Sequence, residues 1–534
     1  MSSLMWQPAT ETNRFEKFLL SRLHRTRKLF GFLRLYRHQL FDETFQQELC
    51  SMYRNTGAGK PPCPPALLAM ALLLQGYLKV SDAEAVELTV VDLRWQLCLD
   101  CLGSQEPAFA QGTLADFRGR LIAHDMDLRL LERTVALAKS TGAFDAKKLP
   151  TSLRVAVDSS PLAGAGRVED SVNLLAHAAR KLVVAVAAAQ KWDKKELAQR
   201  AGLWLLLGKS PKAALDIDWT QPNAKEEAIE RLVEQLEELV SFVYLHAAAA
   251  TAEPEVSEAM STLKQLILQD LEQKEGKETL QLVDGVAPER RISIEDAQMR
   301  HGRKSSNQRI DGYKRHIATD LDTRLILACA LTPANRPEAE AAPQLQADLA
   351  RQDAKVFELY VDRAYLESTL AKDTVQQGGQ LYCRPWVSRN GELYRKEDFV
   401  LDLEQQRLTC PAGQSIPIRL GSIAQFEAGL CQVCENRSRC TDAKQGGRSV
   451  RIAENEPLQQ QLRQLQSSTQ GRAQLRERVG VEHRLAHIGY RQGDRARYLG
   501  VRKNLYDLRR SSSLENLQIL QHELHPPPAA RRAA

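Results

Sequence analysis

Asp158 and Asp362 each close a short β-type run, RVAVD at 154–158 and VFELYVD at 356–362. Adjacent strand ends in one sheet bring such carboxylates within a few ångströms, where they repel unless they share a proton or a cation. Magnesium is held by one or two carboxylates together with water and phosphate oxygens, so this pairing suits phosphoryl transfer. Aspartate is also common where strands end, so the pair alone fits an ordinary sheet equally well. Glu482 adds a third carboxylate on a helical segment rich in basic residues. Arg478 lies at i−4 on the same face, placed to orient that carboxylate or to meet a phosphate. Downstream, Arg495, Arg497, Tyr498, Arg502, Lys503 and Asn504 interleave cations with an aromatic ring and an amide. His483 and His487 share a face, but without an HExxH pattern they read as surface or core histidines.

A second constellation is sulfur. Cys410, Cys431, Cys434 and Cys440 are spaced x20, x2 and x5 in an irregular region, which meets the needs of tetrahedral Zn2+; packed thiols are the alternative. A closed structural site of this kind has no open coordination position for catalysis. Cys98 and Cys101 sit in an apolar helical stretch with no second pair nearby and read as core packing. Gly208-Lys209-Ser210 is no phosphate loop, because five bulky residues follow Gly202 and no strand precedes them.

The elements that must position these groups change character along the chain. Residues 14–53 read as helical. Another helix starts at the prolines 64–65, a third at Ser81 with Glu84 as its capping-box partner, and a further one contains Thr113–Leu121. Residues 1–145 are therefore predicted to be an all-α domain. After the strand at 154–158 comes an Ala-, Leu- and Glu-rich helical stretch, 174–256, with a break near 209–223. A hairpin is predicted over 312–320 and 325–331, then a helix over 337–351, a strand over 356–362 and another at 380–384. Residues 385–465 turn irregular, and 472–490 are again helical. This order predicts an α/β core, 150–384 and 466–520, interrupted by a helical insertion at about 174–280 and a Cys-rich insertion at 385–465, with a disordered tail at 521–534.

Composition fits that reading. The 534 residues are 43% hydrophobic and 26% charged, which excludes wholesale disorder and a coiled-coil rod. Apolar runs such as 65–74 stop short of the ~20 residues of a membrane span. The first 30 residues lack an uncharged apolar core, and the ten cysteines are too uneven for a disulfide scaffold. A reduced, cytoplasmic protein is expected. The formal charge of +6 is unevenly distributed: residues 1–40 carry +6 and 471–534 carry +7, leaving an acidic middle. Basic ends suit a polyanion such as nucleic acid, or serve solubility alone.

The order of motifs resembles a known family. TLADFRGRL (113–121), VAVDSSPLAGAGRVEDSVNLL (155–175), GYKRHIATD (312–320), LYVDRAYLE (359–367), RVGVEHRLAH (478–487), the stretch 495–504 and Asn516 together are similar to bacterial insertion-sequence transposases of the DDE, RNase H-like superfamily, in the subgroup with a helical N-terminal domain and a Cys-rich insertion. The resemblance implies an RNase H-like mixed sheet and a catalytic triad of Asp158, Asp362 and Glu482 holding two Mg2+ (or Mn2+) ions. It implies cleavage and joining of the element's own ends by phosphodiester hydrolysis and strand transfer. The DNA contacts it implies fall on Arg118, Lys314, Arg478, Arg491, Arg495, Arg497, Tyr498 and Lys503. The expected partners are the terminal inverted repeats and target DNA, met by a homodimer in the bacterial cytoplasm, at the nucleoid, with no membrane involved. Related transposases often carry a lysine seven residues after the glutamate; Gly489 stands there instead, with Arg491 two residues on. The alternative is a catalytically inactive or repurposed relative that binds DNA only.

Overall fold

The computed structural model describes residues 4–23, 28–53, 62–144, 152–208, 210–276, 280–285, 287, 289–304, 307–352 and 355–525. At its centre is a six-stranded mixed sheet: β1 (Ser152–Ala163), β2 (Arg300–Arg303), β3 (Arg309–Asp320), β4 (Ile326–Pro333), β5 (Lys355–Tyr360) and β6 (Gln380–Tyr382). Strands β1, β3 and β4 form an antiparallel meander, while β5 and β6 lie parallel to β1 on its other side, giving the order β4-β3-β1-β5-β6. Short β2 pairs with the start of β3. This is the mixed arrangement of an RNase H-like core. The expected hairpin is present as β3 and β4, and Thr323 tightens its turn by donating to the buried Asp320.

One expectation is corrected at β1. Asp158 does not end the strand but lies in its middle, because SSPLA continues the antiparallel pairing with β3 as far as Ala163 opposite Gly312. The crossing is close enough that a Cβ on Gly312 would come within 2.3 Å of the Gly164 nitrogen, and its φ of +154° adds to that demand for glycine.

Four helices frame the site: α1 (Met126–Ser140), α2 (Ala342–Ala350), α3 (Val479–Gln492) and α4 (Val501–Leu524). Helix α4 is buried along most of its length, with α1 and the N-terminal helix Pro65–Leu78 on one side and β4 on the other. Its polar residues are matched to partners: Arg509 meets Asp127 and Asp348, and Asn516 meets Ile326 and Thr134. The N-terminal region is helical as expected, including the Ser81 cap on Glu84 N–H. Its apolar core, however, is continuous with one face of the sheet, joining Phe30, Leu72 and Trp95 to Val155, Leu359 and Leu517. The expected disordered tail at 521–534 is also corrected in part, since α4 runs through Leu524; residues 526–534 lie outside the described residues.

The two insertions have cores of their own. Helices between Ser171 and Asp270 pack around Leu175, Leu182, Leu232 and Leu263, and Arg290 ties the ends of this unit together by bonding both Asp270 and Ser171. Its first helix, Ser171–Gln190, is the single described helix long and apolar enough to cross a membrane by itself, and most of its apolar stretch is buried inside this unit. The Cys-rich insertion, predicted irregular, contains two small sheets around Phe399, Leu408, Phe426 and Ile452.

Candidate active site

The sheet brings the distant carboxylates together. In the parallel pairing of β1 with β5, Ala156 stands opposite Tyr360. Two residues further along each chain come Asp158 and Asp362, on neighbouring segments at the same edge. Asp362 follows β5 and caps a 3-10 turn, Arg363–Tyr365, accepting from the Ala364 N–H. Helix α3 carries Glu482 in its first turn and crosses β1. The helical stretch expected over 472–490 breaks at Glu477–Arg478, so Arg478 sits at the N-terminus of α3.

Arg478 is the hinge of the site. Its guanidinium donates to Asp158 Oδ2 at 2.8 Å and, with the other nitrogen, to Glu482 Oε1. A single planar cation thus bridges two carboxylates 324 positions apart in the chain, in the fork geometry arginine is suited to. Burial pushes the Asp158 carboxyl up, and neighbouring Glu482 adds to this, while Arg478 and the Ser159 N–H pull it back. The guanidinium neutralises both acids. The donor set is hard oxygen, which fits Mg2+ or Mn2+. Among the described residues, no three His, Cys, Asp or Glu side chains are grouped as ligands around one point.

Opposite Ser159, the residue after Asp158, lies a buried polar layer that sequence reasoning missed. The Tyr365 hydroxyl is 2.6 Å from His316 Nδ1, and His316 Nε2 is 2.9 Å from the Thr332 hydroxyl. Burial holds His316 neutral, its pKa pushed down to about 3, and burial together with nearby acids keeps Tyr365 protonated. The alternation of GYKRHIATD could have suggested that His316 faces inward, one residue out of phase with Arg315. Arg315 itself bonds Ser160 Oγ at 2.8 Å and the Gly493 carbonyl at 2.9 Å, securing the far end of α3.

The cations singled out in the sequence are mostly engaged inside the protein. Arg491 forks onto Glu515 and also reaches Gln518. Arg495 bonds the carbonyls of Gly164 and Ala165, and the adjoining backbone pairs with Ala163 at the end of β1. Arg497 donates to the Val80 carbonyl, and Arg502 to Asp125 and Asp127. Arg118 pairs with Asp82 and lies over the Tyr498 ring. Lys314 bonds the Arg336 carbonyl at 3.0 Å, whereas Lys503 is exposed. The 495–502 segment therefore docks the N-terminal helices onto the core. At the basic N-terminal end, Arg34 and Arg37 are likewise buried, paired with Glu16 and Asp100.

In the second constellation, Cys410, Cys431, Cys434 and Cys440 line one small enclosed cavity of about 30 Å³. Burial, together with the other three thiols, pushes the Cys440 thiol up.

Two family models match the chain: "Transposase DDE domain" over residues 278–507 and "Transposase domain (DUF772)" over residues 21–120. Jointly they span more than half of it, and the chain belongs to the insertion-sequence DDE transposases. The DDE match begins after the helical insertion and leaves out β1, so Asp158 joins the site through the sheet pairing described above. No curated protein and no solved structure gives a match.

Proposed function

We propose that this transposase cuts and joins the ends of its own element, with Asp158, Asp362 and Glu482 as the acidic triad of a two-metal centre. The observation that supports this reading is the convergence of Asp158 and Glu482 on Arg478, with Asp362 on the neighbouring parallel segment. Bound divalent ions would supply charge neutralisation and an activated oxygen nucleophile for in-line displacement at phosphorus. The chain's own contribution is positional. Strands β1 and β5 carry two of the carboxylates, α3 presents the third, and Arg478 neutralises Asp158 and Glu482 where divalent ions and DNA phosphate would bind. The buried His316–Tyr365 layer keeps the floor of the site uncharged. The proposed DNA contacts are Arg478 and the exposed Lys503, and joining two element ends calls for a homodimer on terminal inverted repeats.

The test is cleavage of DNA carrying the element's ends in Mg2+ or Mn2+. Asp158→Ala, Asp362→Ala and Glu482→Ala are each expected to abolish cleavage while DNA binding persists. Wild-type cleavage by any one of them removes that residue from the triad. DNA binding by the unmutated protein without cleavage in any metal would favour the inactive, DNA-binding alternative.

A further inference from the structure

The helical insertion carries its charge in two halves. Residues 171–212 hold eight basic and two acidic side chains, whereas residues 213–270 hold three basic and twelve acidic ones. Part of this charge is satisfied inside the unit: Arg180 donates to the Leu206 and Gly208 carbonyls, Lys212 pairs with Asp170, and Arg231 pairs with Glu227. Two groups are left over. Lys181, Lys191, Lys194 and Lys195 are exposed and form no ion pair among the described residues; the same holds for Glu234 and Glu237.

These side chains lie in stripes. On the first helix, Ser171–Gln190, exposed Lys181, Val184 and Ala188 recur at i, i+3 and i+7, and Lys191 caps the end. The helix Lys194–Arg200 follows directly and begins with the other two lysines. On the helix Ala224–His246, Glu234, Glu237, Ser241 and the pair Tyr244 and Leu245 follow the same helical spacing. Val184 is 54% exposed, Tyr244 62% and Leu245 77%. At a rise of 1.5 Å per residue, each stripe runs about 15 Å. The two long helices pack against each other within one copy.

A lysine stripe by itself suits DNA phosphate. An acidic stripe on the neighbouring helix repels a polyanion, and exposed Val184, Tyr244 and Leu245 gain nothing from phosphate. A unit that offers cations, acids and apolar groups in stripes of matched length is complementary to itself. A two-fold axis lays the basic stripe of each copy on the acidic stripe of the other, and the contact closes at two copies.

We propose that the helical insertion is a dimerisation surface, with the lysine stripe of one copy docked on the glutamate stripe of a second copy and the reciprocal contact made at the same time. This names the surface for the homodimer proposed above and rests on that reading. It is independent of the triad.

The experiment is sedimentation velocity on the full chain at low and high salt, with and without a DNA duplex carrying one element end. Wild type is compared with Lys181→Glu/Lys194→Glu and with Glu234→Lys/Glu237→Lys, and thermal melting checks that each variant is folded. Wild type is expected to dimerise, more weakly at high salt. Each double variant is expected to raise the dissociation constant at least about tenfold, because like charges then face each other in both contacts. An equimolar mixture of the two variants is expected to recover the dimer, since every reversed stripe then meets its opposite; an insertion that was merely misfolded would not recover. If either double variant dimerises as wild type does, or the mixture fails to recover, the inference is overturned while the homodimer stands through another surface. Loss of DNA affinity in Lys181→Glu/Lys194→Glu with dimerisation intact would make the lysine stripe a DNA contact and also overturn it. A wild type that stays monomeric both with and without DNA removes the surface and the homodimer together.

Discussion

Glu515 gives the sharpest test of how the catalytic helix is held. Its carboxylate, 3% exposed on α4, receives Arg484 at 2.6 Å, His487 at 2.8 Å and Arg491 at 2.9 and 3.0 Å, all from α3. Arg491, His487 and Arg484 keep the Glu515 carboxyl below its usual range although burial opposes them. Glu515→Gln preserves the volume and one acceptor but leaves two arginines, 15% and 10% exposed, without a counter-charge. Breaking a buried pair from one side costs about 3–5 kcal/mol. His487 is half exposed and contributes little, which favours the lower end, about 3 kcal/mol. That energy weakens the attachment of α3 to α4 before it weakens the rest of the fold. Hydrogen exchange followed by mass spectrometry should therefore show amides of 481–492 exchanging roughly 100-fold faster, with strands β1 and β3 little changed. Because Glu482 rides on this helix, cleavage should fall while DNA binding is kept. Exchange of that segment within about threefold of wild type would refute the reasoning, since a tenfold change needs only about 1.4 kcal/mol.

Other expectations are more local. Asn516→Leu strips partners from the Ile326 N–H and C=O and from the Thr134 hydroxyl, at 2.8, 2.9 and 2.9 Å, and should lower stability by about 2–4 kcal/mol in denaturant titration; an unchanged midpoint contradicts it. His316 has a folded pKa pushed below its unfolded value to about 3, so its neutral form stabilises the fold above about pH 6.5 and that contribution drains away as pH falls toward 3. Across that window His316→Gln should remove a slope of up to about 1.4 kcal/mol per pH unit; an identical pH dependence of unfolding would show that His316 takes no part. For the Cys cluster, protein purified without chelator should carry one zinc by elemental analysis and lose it in Cys431→Ser; a zinc-free, fully folded protein would favour packed thiols.

Much of the site was legible because side-chain type and local period agree. The runs ending at 158 and 362 alternate as strands, and Arg478 with Glu482 follows helical i,i+4 spacing. The length of β1 was not legible, since Ser159-Ser160-Pro161 looks like a turn and is held extended only by its pairing with β3. The basic ends were legible as charge but not as contacts. Counting charge says nothing about pairing, and Arg34, Arg37, Arg491, Arg497 and Arg502 are engaged within the protein. The boundary near 145 was read from a change of period, but the apolar core continues through it, because α4 returns from the far end of the chain to fill the space between the N-terminal helices and the sheet.

The proposed triad is tested most directly by changing the ligand atom at Asp158. Asp158→Cys replaces a hard oxygen by sulfur, which Mg2+ binds poorly and softer Mn2+ accepts better. Cleavage of element-end DNA by this variant should be lost in Mg2+ and recover in Mn2+, with DNA binding unaltered throughout. Cleavage in Mg2+ at the wild-type rate would contradict a metal-holding role for Asp158, and with it the proposed centre.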